Sequence, residues 1–104
     1  MANLIQMAKD MIEMRKQTKK LQQELAAMTV EYENGGIKVA FHCDMAMKSI
    51  SIQPDIIDIT RVDRLERTIL ENINKAIKLA QGKAAEHMKS NIKGMDFGKM
   101  LDAE

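Results

Sequence analysis

The stretch "MTVEYENGGIKVAFHCDMAMKSISIQPDII", residues 28–57, decides the fold, because its apolar residues recur with a period of two. Val30 and Tyr32 alternate with Thr29, Glu31 and Glu33. Ile37, Val39, Phe41 and Cys43 alternate with Lys38, Ala40 and His42. Successive side chains of a strand point to opposite faces, so each run reads as a strand with one face buried. Between the two runs, Asn34-Gly35-Gly36 supplies the positive φ angles of a tight hairpin turn. A third strand is expected over about Met47 to Ile52, with Ile50 and Ile52 inward and Ser49 and Ser51 outward. Pro54 ends it, having no N–H to give a ladder. Three antiparallel strands with one apolar face need a covering layer, and the flanking segments are the source of it.

Those flanks have a helical period. Leu4, Met7, Met11, Met14, Thr18, Leu21, Leu25 and Met28 follow one another at steps of three and four, a heptad stripe with Thr18 as its one polar interruption. Ile5, Ala8 and Ile12 widen it. A long helix over about 2–28 is expected, with a seam that needs another helix against it. Beyond "PDIIDI", Val62, Leu65, Ile69, Ile73, Ile77, Ala80 and Ala84 mark one face of a second long helix over about 61–93, broadened by Leu70, Ala76 and Leu79. Thr60 is read as its cap, with Asp63 three residues on. Past Gly82 the face thins to Ala and Met88, so the distal half is expected to project and pair with another helix. The whole is one α+β domain over 1–94, with 95–104 as a flexible tail.

The composition limits what such a domain can do. A chain of 104 residues with 3% aromatics, no Trp and ten Met builds an aliphatic, thioether-rich core and has little material for a deep cleft. A single Cys excludes an internal disulfide, and no run reaches the length of a membrane span, so a cytoplasmic, soluble protein is expected. His42-Cys43-Asp44 is the most reactive-looking triplet. A Cys nucleophile needs its base about 3 Å away, yet strand parity sends His42 and Cys43 to opposite faces, and Cys43 shares the parity of the core residues. A metal site would have to recruit His87 from the distal second helix. Neither catalysis nor a cofactor or metal is expected, and the Met stripe is read as packing.

The formal charge of +1 hides an uneven distribution. Residues 1–28 hold Lys9, Arg15, Lys16, Lys19 and Lys20 against Asp10, Glu13 and Glu24. From Asn72 to Met95 there are Lys75, Lys78, Lys83, Lys89 and Lys93 against Glu86 alone, whereas residues 29–60 are acidic. Basic ends flanking an acidic middle point to an anionic partner.

In this order the elements resemble the YbaB/EbfC nucleoid-associated DNA-binding proteins of bacteria. The resemblance rests on the Met- and Gln-rich helix "MAKDMIEMRKQTKKLQQELAAM", the run "GGIKVAFHCDMAMKSISIQPDII" and the closing "SNIKGM". The family usually has a glycine in the turn where Cys43 falls. The resemblance implies a tweezer-like homodimer whose sheets form a body and whose helices extend as paired arms onto duplex DNA, at about Asn3 to Thr18 and Ala80 to Lys93. Lys9, Arg15 and Lys16 from the first arm and Lys83, Lys89 and Lys93 from the second are the implied contacts, with Lys19, Lys20 and Lys78 behind them. Phosphate contact, steep salt dependence and a gene-regulatory or DNA-organising role in the nucleoid follow, without a membrane or small-molecule substrate. The alternative is a prefoldin-like helical chaperone or adaptor that binds through its Met-rich surface and not to DNA; it would pair its two helices over their whole length.

Overall fold

The computed structural model describes residues 3–94, with side chains through Ser90. The tail expected at 95–104 lies outside the described residues. The meander comprises β1 (Thr29–Asn34), β2 (Ile37–His42) and β3 (Met47–Ile52), antiparallel in the order β1-β2-β3. Before it runs helix α1 (Leu4–Ala27); after it come a 3-10 turn at Pro54–Ile56 and helix α2 (Val62–Gly94). An α+β chain of helix, three-stranded meander and helix is what the periods required.

Both hairpins rest on left-handed residues. Asn34 pairs with Ile37, leaving Gly35 and Gly36 as a two-residue loop with φ of +64° and +82°. Both central residues at positive φ match the strand twist, and only glycine adopts this without strain. Gly36 is also a close approach, since a Cβ there would come within 2.7 Å of an Ile56 methyl carbon. The second hairpin is built differently. Met45 N–H donates to the His42 carbonyl at 3.0 Å, His42 N–H to the Ala46 carbonyl at 2.8 Å, and Ala46 N–H to Asp44 Oδ1 at 3.1 Å. Here the residue at positive φ is Met45, at +76°, and not Cys43.

Cys43 has a backbone role instead. Its N–H donates to the carbonyls of Leu25, at 3.1 Å, and Met28, at 2.8 Å, while Met28 N–H turns back to Glu24 and Leu25. The last carbonyls of a helix lack intrahelical donors, so the β2–β3 turn satisfies one end of α1. Asn3 caps the other end, its Oδ1 accepting from Gln6 N–H at 3.1 Å.

α2 covers the apolar face of the sheet. Ile37, Val39 and Phe41 of β2 are buried beneath Ala76 and Ala80, with Val30, Tyr32, Ile52, Ile56, Leu65, Ile69, Ile73 and Ile77 around them. The centre of the helix face differs from the expected one. It runs along Asn72, Ala76, Ala80 and Ala84, all buried, at steps of four. The larger isoleucines flank this line because the β2 side chains already fill the space beneath it. Leu70 and Leu79 stay exposed.

Among the described residues, Asn72 is the buried polar one, at 1% exposure. Its Nδ2 donates to the carbonyls of Asn34 and Ile37, each at 2.9 Å, on either side of the glycine turn. One amide thus ties the first hairpin to α2.

Three further expectations need correction. Thr60 does not cap α2, because its N–H and hydroxyl both donate to Asp58 Oδ1, at 2.9 and 2.6 Å. Ala40, assigned outward, is 3% exposed. Its partners Glu31 and Ser49 flank it on the second face. Ile50, assigned inward, shares the face of Val39 but remains 44% exposed, because α2 does not reach across β3, the edge strand.

Two backbone substitutions separate strain from packing. Gly36→Ala should destabilise by about 1 kcal/mol or more, from left-handed strain and the Ile56 contact. Met45→Gly should be neutral to stabilising by up to about 1 kcal/mol in urea denaturation, since it relieves the same strain without a packing loss of similar size. Asn72→Leu should cost about 2–3 kcal/mol by the same measurement, because two carbonyls lose their donor. A stable Asn72→Leu protein would show that the hairpin is held elsewhere.

Candidate nucleic-acid interface

α1 leaves the body almost at once. Every residue from Asn3 to Lys20 is exposed, and Leu21 is the first to be partly covered. The apolar seam is exposed with the rest, Leu4 at 76%, Ile5 at 71%, Met11 at 58% and Met14 at 66%. At 1.5 Å per residue, residues 3–20 form an arm of about 27 Å. The radius of gyration of 20.4 Å, against about 13 Å for a compact chain of this length, reflects that extension.

The basic residues expected on this arm occupy two positions. Lys9 and Lys16, seven apart, lie across the helix from the seam, where Lys20 joins them. Arg15 is different, bordering the seam in a shallow groove with Met11, Met14, Thr18, Lys19 and Gln22. Lys9, Arg15 and Lys16 make no side-chain hydrogen bond or ion pair among the described residues.

On α2 the cover reaches Ala84 and, in part, His87. Lys83 belongs to the body, its Nζ donating to the Thr29 carbonyl at 3.1 Å at the start of β1. One turn on, His87 Nε2 lies 2.6 Å from Glu24 Oε2, joining the end of α1 to α2. His87, weighed in the sequence as a metal recruit, is therefore an interhelical partner. α1 and α2 meet there and do not run against one another along their lengths. Lys89 is exposed just beyond. Lys93 lies in the last described turn, and its side chain is outside the described ones. Lys9, Arg15 and Lys16 on α1 and Lys89 on α2 sit on separate projections of one chain, and Lys83 does not.

Sequence reasoning passed over a second basic group at the other end of α2. Arg61, Arg64 and Thr68 line a cleft of about 260 Å³ with Gly35, Ile56, Asp58 and Leu65. Neither guanidinium has an ion-pair partner among the described residues. The fourteen-residue spacings from Arg61 to Lys75 and from Arg64 to Lys78, which continue this group down α2, were the available signal. Asp58 is held below its ordinary carboxyl value of 3.8 by the Thr60 hydroxyl first and the Thr60 N–H second, slightly opposed by desolvation.

The HCD turn offers no reactive arrangement. Cys43 is 2% exposed in the core, and the buried Nδ1 of His42 has no hydrogen-bond partner. Among the described residues no group of three or more His, Cys, Asp or Glu side chains could hold a metal ion. No described helix is long and apolar enough to cross a membrane.

The chain is an α+β protein whose sheet body carries two helical projections with exposed lysines. Residues 1–95 match the model of the YbaB/EbfC DNA-binding family, and the chain belongs to that family. Among similar proteins, the nucleoid-associated protein of Chloroflexus aggregans is 38% identical over 94 residues, covering 88% of this chain and 91% of its own. That of Akkermansia muciniphila is 33% identical over 97 residues, covering 91% and 93%. That of Thermoanaerobacter pseudethanolicus is 32% identical over 97 residues, covering 91% and 87%. The family is one of DNA-binding proteins and not of enzymes.

The Asp58 contact gives a pH prediction. A carboxylate whose pKa is depressed in the fold adds stability above its unfolded value, and that stability is lost as pH falls through the folded one. Thr60→Val should raise the Asp58 pKa toward 3.8 in a carboxyl NMR titration, flattening the acid limb of the stability profile. An unmoved Asp58 titration would assign the depression to another group.

Proposed function

We propose that the chain works as a homodimer that binds duplex DNA in the bacterial nucleoid through its helical arms, mainly at phosphates, with a DNA-organising or gene-regulatory role and no catalytic activity. The exposed seam of α1 carries the reading. An apolar stripe from Leu4 to Met14 on an isolated arm is unstable in water, since lone helices owe most of their stability to packing. A second copy supplies a matching heptad seam, and pairing the seams leaves Lys9 and Lys16 outward, free of intramolecular partners. Relatives bearing the name nucleoid-associated protein support the location and the ligand.

The contact chemistry follows from residue type. Lysines act as point charges on phosphate and carry little base information, so binding should be weakly selective for sequence. Each neutralised phosphate releases counterions, lowering log K by about 0.9 per tenfold rise in salt. Arg15, beside the seam, and Gln6 and Gln17 are the arm groups able to reach base edges. Tyr32 and Phe41 lie on the sheet, which leaves α1 without a ring for stacking on single strands.

Sedimentation and duplex binding across a salt series test this together. The wild type should sediment as two chains and bind duplex with a steep salt slope. Met11→Glu/Met14→Glu should dissociate the dimer and lower the helix content by circular dichroism. Lys9→Glu/Lys16→Glu should remain dimeric, bind at least about tenfold more weakly at 0.1 M salt and lose roughly 2–4 units of slope. Unchanged binding by that dimeric variant would remove the first-arm assignment, and a wild-type monomer without DNA affinity would favour the chaperone alternative.

A further inference from the structure

Charge is distributed unevenly around α2. Arg61, Lys75 and Lys89 are separated by multiples of seven residues, which a helix of 3.6 residues per turn holds on one flank; Arg64 and Lys78, also a multiple of seven apart, lie beside them. Contacts identify the flank. Arg61, Arg64 and Thr68 line the cleft beside the Gly35 turn, and Lys78, Leu79, Gly82, Lys83 and Glu86 line a second hollow against Thr29, Val30 and Glu31 of β1. This is the side of α2 that overhangs β1.

The acidic groups here are fewer than the cations, and two of the four have partners, although Asp58 keeps its charge. Asp58 is bonded to Thr60 and Glu31 is paired with Lys38 at 3.2 Å, which leaves Glu71 and Glu86 on the helix itself. Arg61, Arg64, Lys75, Lys78 and Lys89 have no ion-pair partner among the described residues. Asp63 and Glu66 turn away by helix geometry. The flank is therefore net positive from the base of α2 to its arm.

Gly82 is a second, independent observation on the same flank. A Cβ built there meets nothing within 4 Å, so packing within the chain does not require glycine. Glycine inside a helix lowers stability relative to alanine, so an unpacked one marks a place where something approaches the backbone. It lies between Lys78 and Lys89 and opens the hollow beside β1. The 28 residue steps from Arg61 to Lys89 span about 42 Å. One turn of duplex is about 34–36 Å long, so such a ramp can meet phosphates at both of its ends.

We propose that duplex DNA runs along the β1-side flank of α2, its phosphates held by Arg61, Arg64, Lys75, Lys78 and Lys89 and one backbone segment seated over Gly82. This rests on the DNA-binding reading above and extends its surface from the arms down to the base of the body. The duplex is then tracked along a helix instead of gripped only at the arm tips.

The test compares the full-length wild type, Arg64→Gln/Lys75→Gln/Lys78→Gln and Lys9→Gln/Lys16→Gln on a duplex longer than two helical turns, across a salt series, with sedimentation for each. The flank triple should stay at the wild-type oligomeric state, bind at least about tenfold more weakly at 0.1 M salt and lose about three units of slope for each flank that the duplex engages. Gly82→Ala should raise the melting temperature by about 3–6 °C, whereas Gly82→Leu should weaken DNA binding without changing the charge. If the triple changes the assembly, Lys75→Gln and Lys78→Gln taken singly carry the same test. A flank triple that binds as the wild type does, while the arm double is weakened, overturns this inference and leaves the DNA reading standing. A wild type that binds no duplex at any salt overturns both.

Discussion

A three-stranded sheet with one apolar face can cover a single helix, and α2 occupies that face. Everything else about the molecule follows from this shortage of surface. Ile37, Val39 and Phe41 fill the middle of the sheet, and the small residues Ala76 and Ala80 let α2 settle on them. No face of comparable size remains for α1. It is tied to the body only at its last turns, by the Cys43 N–H on the Leu25 and Met28 carbonyls and by the Glu24–His87 contact. An apolar helix left in water is a demand for a partner, and in this chain the same helix is basic on its back.

Asn72 fixes how the covering layer sits. Its amide reaches the carbonyls on either side of the glycine turn, so the depth and rotation of α2 are set by hydrogen bonds as well as by packing. The buried Oδ1 of Asn72 has no partner, but its twice-paired Nδ2 makes the contact directional in a way that alanines and isoleucines are not. That rotation aims the opposite faces of α2. The Ala ridge points to β2, the isoleucines overhang the sheet flanks, and the basic side passes over β1 toward the arm.

Much of the fold was legible because periodicity is a local property. The change from steps of three and four to steps of two at Thr29, the glycines at 35 and 36 and the proline at 54 placed three strands and two helices close to their final bounds. Most of the failures were of one kind. Ala40, Ile50 and the true centre of the α2 face depended on which neighbour arrived from elsewhere in the chain, and parity alone carries no such information; Thr60 was instead taken by a local competitor, Asp58, two residues before it. The left-handed residue of the second hairpin is Met45, a residue type with no turn preference to announce it.

The basic arms were visible as charge runs, and the resemblance to a DNA-binding family came from the order of elements more than from any one motif. Which cations are available was a tertiary matter, since Lys83 is spent on the Thr29 carbonyl and Arg15 lies against the seam. The arginines at the base of α2 joined the picture only when the cleft beside Gly35 brought them onto one flank. By itself the sequence determined the elements, their amphipathic faces and the sign of their charge, because these depend on residues a few positions apart. The tertiary structure alone decided which apolar face is covered, which is left open and which cations remain unpaired, because those outcomes depend on residues brought together from distant parts of the chain.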